Sequence, residues 1–183
     1  MRIVLAVVAV VVLVHPLAYA QTTQVGVHYS AVSQEYPDQS RSGVGGFVVY
    51  SPVAWLGVDA STSFFFSEPI GGSAWQLLAG PRVGAAWNDL AIFGRVRPGF
   101  VRFSERFGKP NIACILIFPP PEACLAPHTN FAFDLGGTVE LPLNASTLLR
   151  FDLGDTLIRY DRNGLGDEWM HNLQFAGGVG WRF

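Results

Sequence analysis

The chain ends in the stretch Asn172–Phe183, NLQFAGGVGWRF, whose side chains alternate in character along its length. Large apolar side chains occupy most of its alternate positions, and small or polar side chains lie between them. A strict period of two over this length is typical of a β-strand, because successive side chains of a strand point to opposite faces. One face of the strand is therefore apolar and the other is small or polar. The apolar set is Leu173, Phe175, Gly177, Val179, Trp181 and Phe183.

The first residues of the chain have the pattern of an export signal. Arg2 precedes an unbroken apolar run over 3–14, and the small-residue pattern AYA follows at 18–20. The run is shorter than the roughly 20 apolar residues that a membrane-spanning helix needs. We therefore predict a cleaved signal peptide over residues 1–20 and one β-barrel domain over residues 21–183.

The composition of the chain limits the classes of function. Charged residues make up 14% of the sequence, whereas soluble domains carry about 25%. The net charge is −2, so we expect no nucleic-acid partner. No apolar stretch after the signal is long enough for a transmembrane helix, and a membrane location would therefore require a closed sheet.

Turn signals divide the mature chain into eight segments of alternating character, without an amphipathic helix of normal length between them. The connections alternate between short and long ones, and the longest runs from Ser104 to Thr129. Short turns at one rim and long loops at the other are typical of bacterial outer-membrane barrels. The predicted segments are Gln24–Ser33, Gly43–Ser51, Leu56–Phe66, Trp75–Trp87, Ala91–Phe103, Asn130–Leu141, Thr147–Tyr160 and Met170–Phe183.

Two folds accommodate eight alternating strands: a soluble lipocalin-like barrel with an apolar lumen, and a membrane barrel with an apolar exterior. A soluble barrel needs many charges on its outer face, whereas the polar set here is rich in Gly, Ala and Ser. Such small residues suit a narrow, filled lumen. Aromatic residues near the segment ends also fall where two interfacial girdles are expected. We therefore predict an all-β fold, an eight-stranded antiparallel up-and-down transmembrane β-barrel.

Three stretches carry a resemblance to a known family: AYA at 18–20, FGRVRPGFVRF at 93–103 and GWRF at 180–183. With the eight segments, they resemble the OmpA-type eight-stranded outer-membrane β-barrel domain over essentially the whole mature length. The resemblance implies a bacterial outer-membrane location, with outer-membrane lipid and lipopolysaccharide as partners. It also implies that Trp181 and Phe183 belong to an insertion signal read by the barrel-assembly machinery. We expect no cofactor and no metal.

The predicted inward set contains charges of both signs in nearly equal number. Because the interior of an eight-stranded barrel is just wide enough for side chains, we expect these groups to pair across the lumen and plug it. A gated ion path or a small-solute site is the alternative. The predicted lumen charge network comprises Asp59, Arg82, Arg95, Arg97, Asp134, Glu140, Arg150, Asp152 and Arg182.

The seventh segment leaves one question open. Its outward-facing apolar set continues into Asp155 and Arg159. A bulge near Gly154 would turn Asp155 inward. Alternatively, the strand has already left the hydrocarbon layer at this point and faces water.

The longest connection contains both cysteines, Cys114 and Cys124, in the stretch CILIFPPPEAC. In an exported protein this pair predicts a disulfide, which would stabilise the loop by roughly 2–3 kcal/mol; a metal site with His128 is the other interpretation. The loop closed by this disulfide, here called the clipped loop, is unusually apolar. We therefore expect it to cover the barrel mouth or to dip into lipid. The alternative is that it forms a surface for a partner. Its candidate interaction residues are Ile115, Leu116, Ile117 and Phe118.

Small outer-membrane barrels include lipid A deacylases and acyltransferases, which use His and Ser with an acidic group. The candidates here are His28 with Ser30 and His128 with Asn130. The deacylase run His-x-Ser-Asn is not matched, since the first site lacks the Asn and the second lacks the Ser. We therefore predict that the protein is not an enzyme and has a structural or surface-interaction role. Adhesion through the clipped loop, lipid A modification and small-solute conduction are the alternatives.

Overall fold

The computed structural model describes residues 22–34, 39–68, 72–104, 127–161 and 167–183, and the predicted signal peptide lies outside these ranges. Within them, no helix has the length and apolar character needed to cross a membrane. The strands are β1 Thr22–Gln34, β2 Gln39–Val53, β3 Leu56–Glu68, β4 Gly72–Ala86, β5 Ala91–Phe103, β6 His128–Pro142, β7 Thr147–Asp161, β8 Asp167–Met170 and β9 Asn172–Arg182.

These strands form one closed antiparallel sheet. Each strand from β1 to β6 pairs with the next along the chain, and β9 pairs with both β7 and β1. The short strand β8 continues the line of β9 beside β7 in the same register, so the nine strands make eight walls. The prediction of an eight-stranded up-and-down barrel is confirmed.

The pairing register is staggered around the barrel, and this stagger determines which residues of distant strands lie close together in the lumen. Followed from Gly26 through β2 to β6, the pairing leads to Ile158 on β7. Followed the other way through β9, it leads to Leu148, ten residues earlier on the same strand. Such a stagger in an eight-stranded barrel corresponds to a strand tilt of roughly 40°. Because the strands are tilted, residues at the same height along the barrel axis are not direct pairing partners of one another.

Several strands extend beyond the predicted segments. Strand β5 matches its segment, Ala91–Phe103, whereas β2 begins at Gln39 instead of Gly43. The ladder between β1 and β2 continues to the pair Gln34↔Gln39. Backbone pairing persists here although the side chains no longer alternate between apolar and polar, because the ladder needs only backbone groups.

The predicted last segment is interrupted at His171, between β8 and β9. Side chains supply hydrogen bonds at this break. The Asn172 backbone N–H donates to Asp155 Oδ1 at 3.0 Å, and Asn172 Nδ2 donates to the carbonyl oxygens of Thr156 and Met170 at 2.9 and 3.0 Å.

The β6–β7 register runs without a bulge from Ala132↔Ile158 to Pro142↔Leu148. The bulge considered near Gly154 is therefore wrong, and Asp155 keeps the outward parity of its strand. Asp155 Oδ2 lies 2.6 Å from His171 Nδ1, and both side chains are exposed. The strand thus presents a polar pair on the barrel exterior.

The barrel exposes its apolar face and buries its polar one. Outward side chains such as Val27, Leu153 and Leu173 are more than half exposed, whereas Arg82 and Asp134 are buried. In water this arrangement would be strongly unfavourable, because apolar area remains solvated and charges lose their hydration. It is the arrangement expected of a barrel surrounded by lipid.

The buried interior has a charged zone and an apolar zone. The apolar zone lies at the end of the barrel that carries the long connections, where β1, β3, β5 and β7 end. There the rings of Phe103 and Tyr160 stack with centroids 6.2 Å apart. Its residues are Val32, Phe65, Ala74, Leu78, Val101, Phe103, Ala132, Ile158, Tyr160 and Met170.

Candidate functional site in the barrel lumen

Three arginines and three aspartates form a closed ring of ion pairs inside the barrel. Each arginine contacts two of the aspartates, and each aspartate contacts two of the arginines. The ring is therefore electrically neutral. In order, its members are Asp59, Arg97, Asp134, Arg95, Asp152 and Arg150.

Arg97 links the first two carboxylates of the ring. Its Nη1 donates to Asp59 Oδ1 at 3.0 Å and to Ser61 Oγ at 2.8 Å. Its Nη2 and Nε lie 2.9 and 3.0 Å from Asp134 Oδ2. The other oxygen of Asp59 accepts from Arg150 Nη2. Each oxygen of Asp59 is thus engaged by a different guanidinium group.

Asp152 closes the other half of the ring. Arg95 donates through Nε to Asp134 Oδ2 at 3.1 Å and through Nη1 to Asp152 Oδ1. Arg150 Nε donates to Asp152 Oδ2 at 2.9 Å. The hydroxyl of Thr138 adds a further hydrogen bond to Asp152 Oδ1 at 2.6 Å.

The ring spans the full width of the barrel. Asp59 lies on β3 and Arg150 on β7, which are four walls apart in either direction around the barrel. Arg95 and Arg97 lie on β5 between them, and Asp134 lies on β6. All these side chains are buried, so the charges are compensated by one another rather than by water.

A second ion pair lies beside the ring, toward the chain termini. Arg82 Nη1 donates to Glu140 Oε1, and Arg82 Nη2 donates to Ser51 Oγ at 3.1 Å. Gln24 Nε2 donates to the other carboxylate oxygen of Glu140 at 3.1 Å. Arg182 Nη2 lies 3.8 Å from the same oxygen, and its side chain is 32% exposed. The structure thus brings together all nine residues of the predicted network, with Arg182 at its edge.

Two inward phenylalanines complete the charged zone and were not singled out from the sequence. The guanidinium carbon of Arg150 lies 4.3 Å from the ring centroid of Phe47, and that of Arg82 lies 4.0 Å from the centroid of Phe93. Both contacts are cation–π interactions. Strand parity in the sequence could have indicated that both rings point into the lumen, because Phe47 and Phe93 alternate with the outward-facing side chains of their strands. A Cβ atom at Gly180 would lie 2.9 Å from the Phe47 ring, so glycine makes room for it.

His28 is a buried lumen residue on β1. Its Nε2 lies 2.9 Å from Ser63 Oγ, and its ring stacks on Phe47 with centroids 6.4 Å apart. The structure therefore pairs His28 with Ser63 and not with the predicted Ser30. Among the described residues, His28 Nδ1 and Ser30 Oγ have no hydrogen-bond partner. No carboxylate in the described part of the structure accepts a hydrogen bond from this imidazole.

The other predicted His site is only partly described. Asn130 is buried in the lumen, and the side chain of His128 lies outside the described part of the structure. The predicted disulfide between Cys114 and Cys124 and the apolar residues 115–118 also lie outside the described residues. These assignments stay predictions.

The terminal residue is anchored to the first strand. Phe183 N donates to the carbonyl oxygen of Thr23 at 2.8 Å, and Thr23 N donates to the carbonyl oxygen of Phe183 at 3.2 Å. The Phe183 side chain is 79% exposed and Trp181 is 45% exposed, both on the barrel exterior. The last ring therefore lies where an aromatic girdle would meet the membrane interface.

The fold and its polarity define the class: an eight-stranded transmembrane β-barrel with the up-and-down topology of the OmpA type. Neisserial surface protein A is similar in structure, with a TM-score of 0.63, 10% identity and coverage of 89% of this chain and 97% of that one. The N-terminal β-barrel domain of Pseudomonas aeruginosa OprF is similar with a TM-score of 0.51, 12% identity and coverage of 87% and 97%. No family model and no curated protein matches the sequence. At these identities the likeness concerns the fold.

Proposed function

We propose that this protein is an integral outer-membrane β-barrel whose lumen is sealed by the ion-pair network and whose role is structural or one of surface interaction. The observation that carries the proposal is the neutral ring from Asp59 to Arg150, which crosses the lumen from β3 to β7. A solute passing through the barrel would have to separate these charges.

The energetics of buried charges favour a closed lumen. Removing one partner from a buried ion pair costs about 3–5 kcal/mol, because the remaining charge stays desolvated. A conformation that parts a single pair of the ring without rehydrating it would therefore be populated about 10²- to 10⁴-fold less than the closed one. Each member of the ring has two ionic partners, so movement of any one side chain disturbs two pairs.

The arrangement of the connections supports an orientation in the membrane. The turns after β2, β4 and β6 are short and lie at the same end as the start of β1 and the end of β9. In bacterial outer-membrane barrels this end faces the periplasm. The proposal includes contact of the exterior with outer-membrane lipid and lipopolysaccharide, and insertion by the barrel-assembly machinery through Trp181 and Phe183.

Conductance across a planar lipid bilayer tests the sealed lumen. We expect the wild-type protein to give no discrete conductance steps. The variant Arg97→Ser/Asp134→Ser opens the ring without changing its net charge, and we expect it to give small discrete steps. Asp89→Ser, in the exposed turn after β4, is the control and should behave as the wild type. Wild-type steps as large as those of the ring variant would overturn the proposal.

Adhesion through the third long connection is the second candidate function, and it rests on the density of apolar residues between the two cysteines. It predicts that Cys114→Ser, or deletion of residues 115–118, abolishes binding of protein-bearing cells to a surface that the wild type binds. The barrel should remain folded in both variants. Unchanged binding would show that the loop is only a cover.

A further inference from the structure

The exterior of the barrel carries arginines at one end only. Among the outward-pointing strand side chains that the structure describes, the arginines are Arg102 on β5 and Arg159 on β7. Both are exposed, and both lie within the last three residues of their strands, at the end that carries the long connections. At the short-turn end, none of the described outward strand side chains is charged. The two rims of the lipid-facing surface therefore differ in charge.

Each of these arginines lies beside an outward-facing tryptophan. Arg102 is the cross-strand neighbour of Trp75, and Arg159 is the cross-strand neighbour of Trp169. Exposed tryptophans of membrane barrels lie at the level of the lipid head groups. A lipid-facing arginine destabilises a barrel at the bilayer midplane but is tolerated near the interface. Both arginines are therefore at the level where lipid head groups meet the barrel.

The two arginines also share one side of the barrel. Arg102 pairs with Thr129 on β6, and continuation of the β6–β7 register by one pair puts Arg159 opposite Phe131. With ordinary spacings between strands and along them, the Cα atoms of Arg102 and Arg159 are roughly 12 Å apart. Both long side chains can therefore reach one head group that carries two anionic groups.

Aromatic rings adjoin both arginines. Trp75 contacts Phe100 edge to face with centroids 5.3 Å apart, and Trp169 contacts Phe131 in the same way at 6.1 Å. Phe131 and both tryptophans are exposed on the barrel exterior. These rings and the two arginines are here called the arginine face. A lipid bound to it would meet cations at its head group and rigid apolar surface along its acyl chains.

The carboxylate on the described part of this side of the barrel is Asp155. It is engaged by His171 Nδ1 at 2.6 Å and by the Asn172 N–H at 3.0 Å. It precedes Arg159 by four residues on the same strand, which is roughly 13 Å and too far for an ion pair. Asp155 therefore leaves the arginine face positively charged.

We propose that the arginine face binds lipopolysaccharide, with Arg102 and Arg159 contacting the phosphate groups of its lipid A disaccharide. Charge complementarity carries the proposal, because a guanidinium group binds phosphate through paired hydrogen bonds. Lipid A has a phosphate at each end of its disaccharide and lies in the outer leaflet, whereas a simple anionic phospholipid offers one phosphate. The inference rests on the proposed outer-membrane location and orientation, and it adds the residues and the head-group chemistry of the contact.

NMR of the folded, isotope-labelled protein in phosphatidylcholine nanodiscs with increasing fractions of bisphosphorylated lipid A tests the site. The observed signals are the indole N–H groups of the five tryptophans. We expect saturable shifts at Trp75 and Trp169. Trp55, Trp87 and Trp181 meet the same lipid at the short-turn end and should show no saturable shift. Equal responses at the two ends would overturn the proposal.

Two other lipids separate a paired-phosphate head group from negative charge in general. Monophosphorylated lipid A and phosphatidylglycerol should each need about fivefold higher mole fractions for half-saturation. If phosphatidylglycerol saturates the same signals at the same density of charge, the surface attracts any anionic lipid, and the assignment to lipid A is wrong.

Substitutions at the two arginines test the contact itself. Arg102→Gln and Arg159→Gln should each raise the half-saturating fraction of lipid A about fivefold, whereas Arg102→Lys keeps the charge and should raise it less. Ser33→Gln, at an exposed outward position near the end of β1 on the opposite side of the barrel, is the control and should leave it unchanged.

The outcomes also distinguish this inference from the function on which it rests. A protein that does not enter the nanodiscs would contradict the outer-membrane barrel and the lipid site together. A folded protein in nanodiscs that gives no saturable shifts, or a variant Arg102→Gln/Arg159→Gln with unchanged half-saturation, would overturn the lipid site alone.

Discussion

Asp59 is a buried carboxylate held by two arginines from different strands. It is fully buried, and its two oxygens accept hydrogen bonds from Arg97 on β5 and Arg150 on β7. Parity along β3 predicts from the sequence that Asp59 points inward. The partners could not be predicted, because Arg150 is 91 residues away and meets Asp59 only through the stagger of the closed barrel.

Asp59→Ala should lower the free energy of unfolding by about 3–5 kcal/mol, since Arg97 and Arg150 would each keep a buried, undercompensated charge. Urea unfolding of the protein in lipid vesicles, followed by tryptophan fluorescence, measures the change. Asp89→Ala, at an exposed turn position, should change it by less than about 0.5 kcal/mol. Equal effects of the two substitutions would show that the ring does not stabilise the barrel.

Adjacent glycines have unequal roles, which depend on strand parity. A Cβ atom at the inward Gly178 would clash with the backbone of Val27 and lie 2.8 Å from the Cβ of His28. At the outward Gly177 it would meet only the ring of Phe151, at 3.6 and 3.7 Å. The sequence shows a glycine pair, and only the register of β9 against β1 shows which one has no room.

Gly178→Ala should therefore destabilise the barrel by about 1–3 kcal/mol through overpacking. Gly177→Ala should be nearly neutral. The fraction of protein that migrates as the compact, unboiled form in detergent electrophoresis compares the two after refolding. A similar loss in both variants would contradict the assignment of inward and outward faces.

At the scale of elements, the turn between β6 and β7 is fixed by one side chain. Asn144 Oδ1 accepts hydrogen bonds from the backbone N–H groups of Ser146 and Thr147 at 2.9 and 2.8 Å. An Asn that binds the backbone two or three residues later is a typical turn former. The composition of Pro142–Ser146 therefore sufficed to predict a turn.

Asn144→Ala should lower the free energy of unfolding by about 1 kcal/mol, because both side-chain acceptor contacts are lost. Asn144→Asp keeps an acceptor oxygen and should restore most of the stability. Ser146→Ala serves as the control, since Ser146 contributes its backbone to this contact. The urea midpoints of unfolding of the three variants in vesicles give the comparison. If Asn144→Asp were destabilised and Asn144→Ala were unaffected, the acceptor oxygen of Asn144 would not stabilise the turn.

The bounds of β5 were predictable from the turn signals that flank its segment, although its inward face carries both arginines and phenylalanines. The β8–β9 break was not predictable, because it depends on Asp155 and Asn172 supplying hydrogen bonds across the β7–β9 ladder. Such contacts join residues whose proximity follows from the pairing register of β7 and β9 and not from local sequence.

For the whole molecule, the polarity of the two faces could be predicted from the alternation of residues, and the apolar zone could not. Val32 and Phe65 are isolated apolar residues in the inward, mainly polar sets of their strands, and Val101 belongs to the mixed inward set of β5. Only the closed barrel brings the three residues into one zone. The same closure converts scattered inward charges into a neutral ring.

Quenching of tryptophan fluorescence by brominated lipids measures whether the apolar outer face of the barrel lies in lipid. All five tryptophans lie near the barrel ends: Trp55, Trp87 and Trp181 at the short-turn end, and Trp75 and Trp169 at the other. In vesicles of the folded protein, bromines near the head groups should quench more strongly than bromines at mid-chain depth. Absence of quenching at either depth would contradict a transmembrane barrel and favour a soluble one.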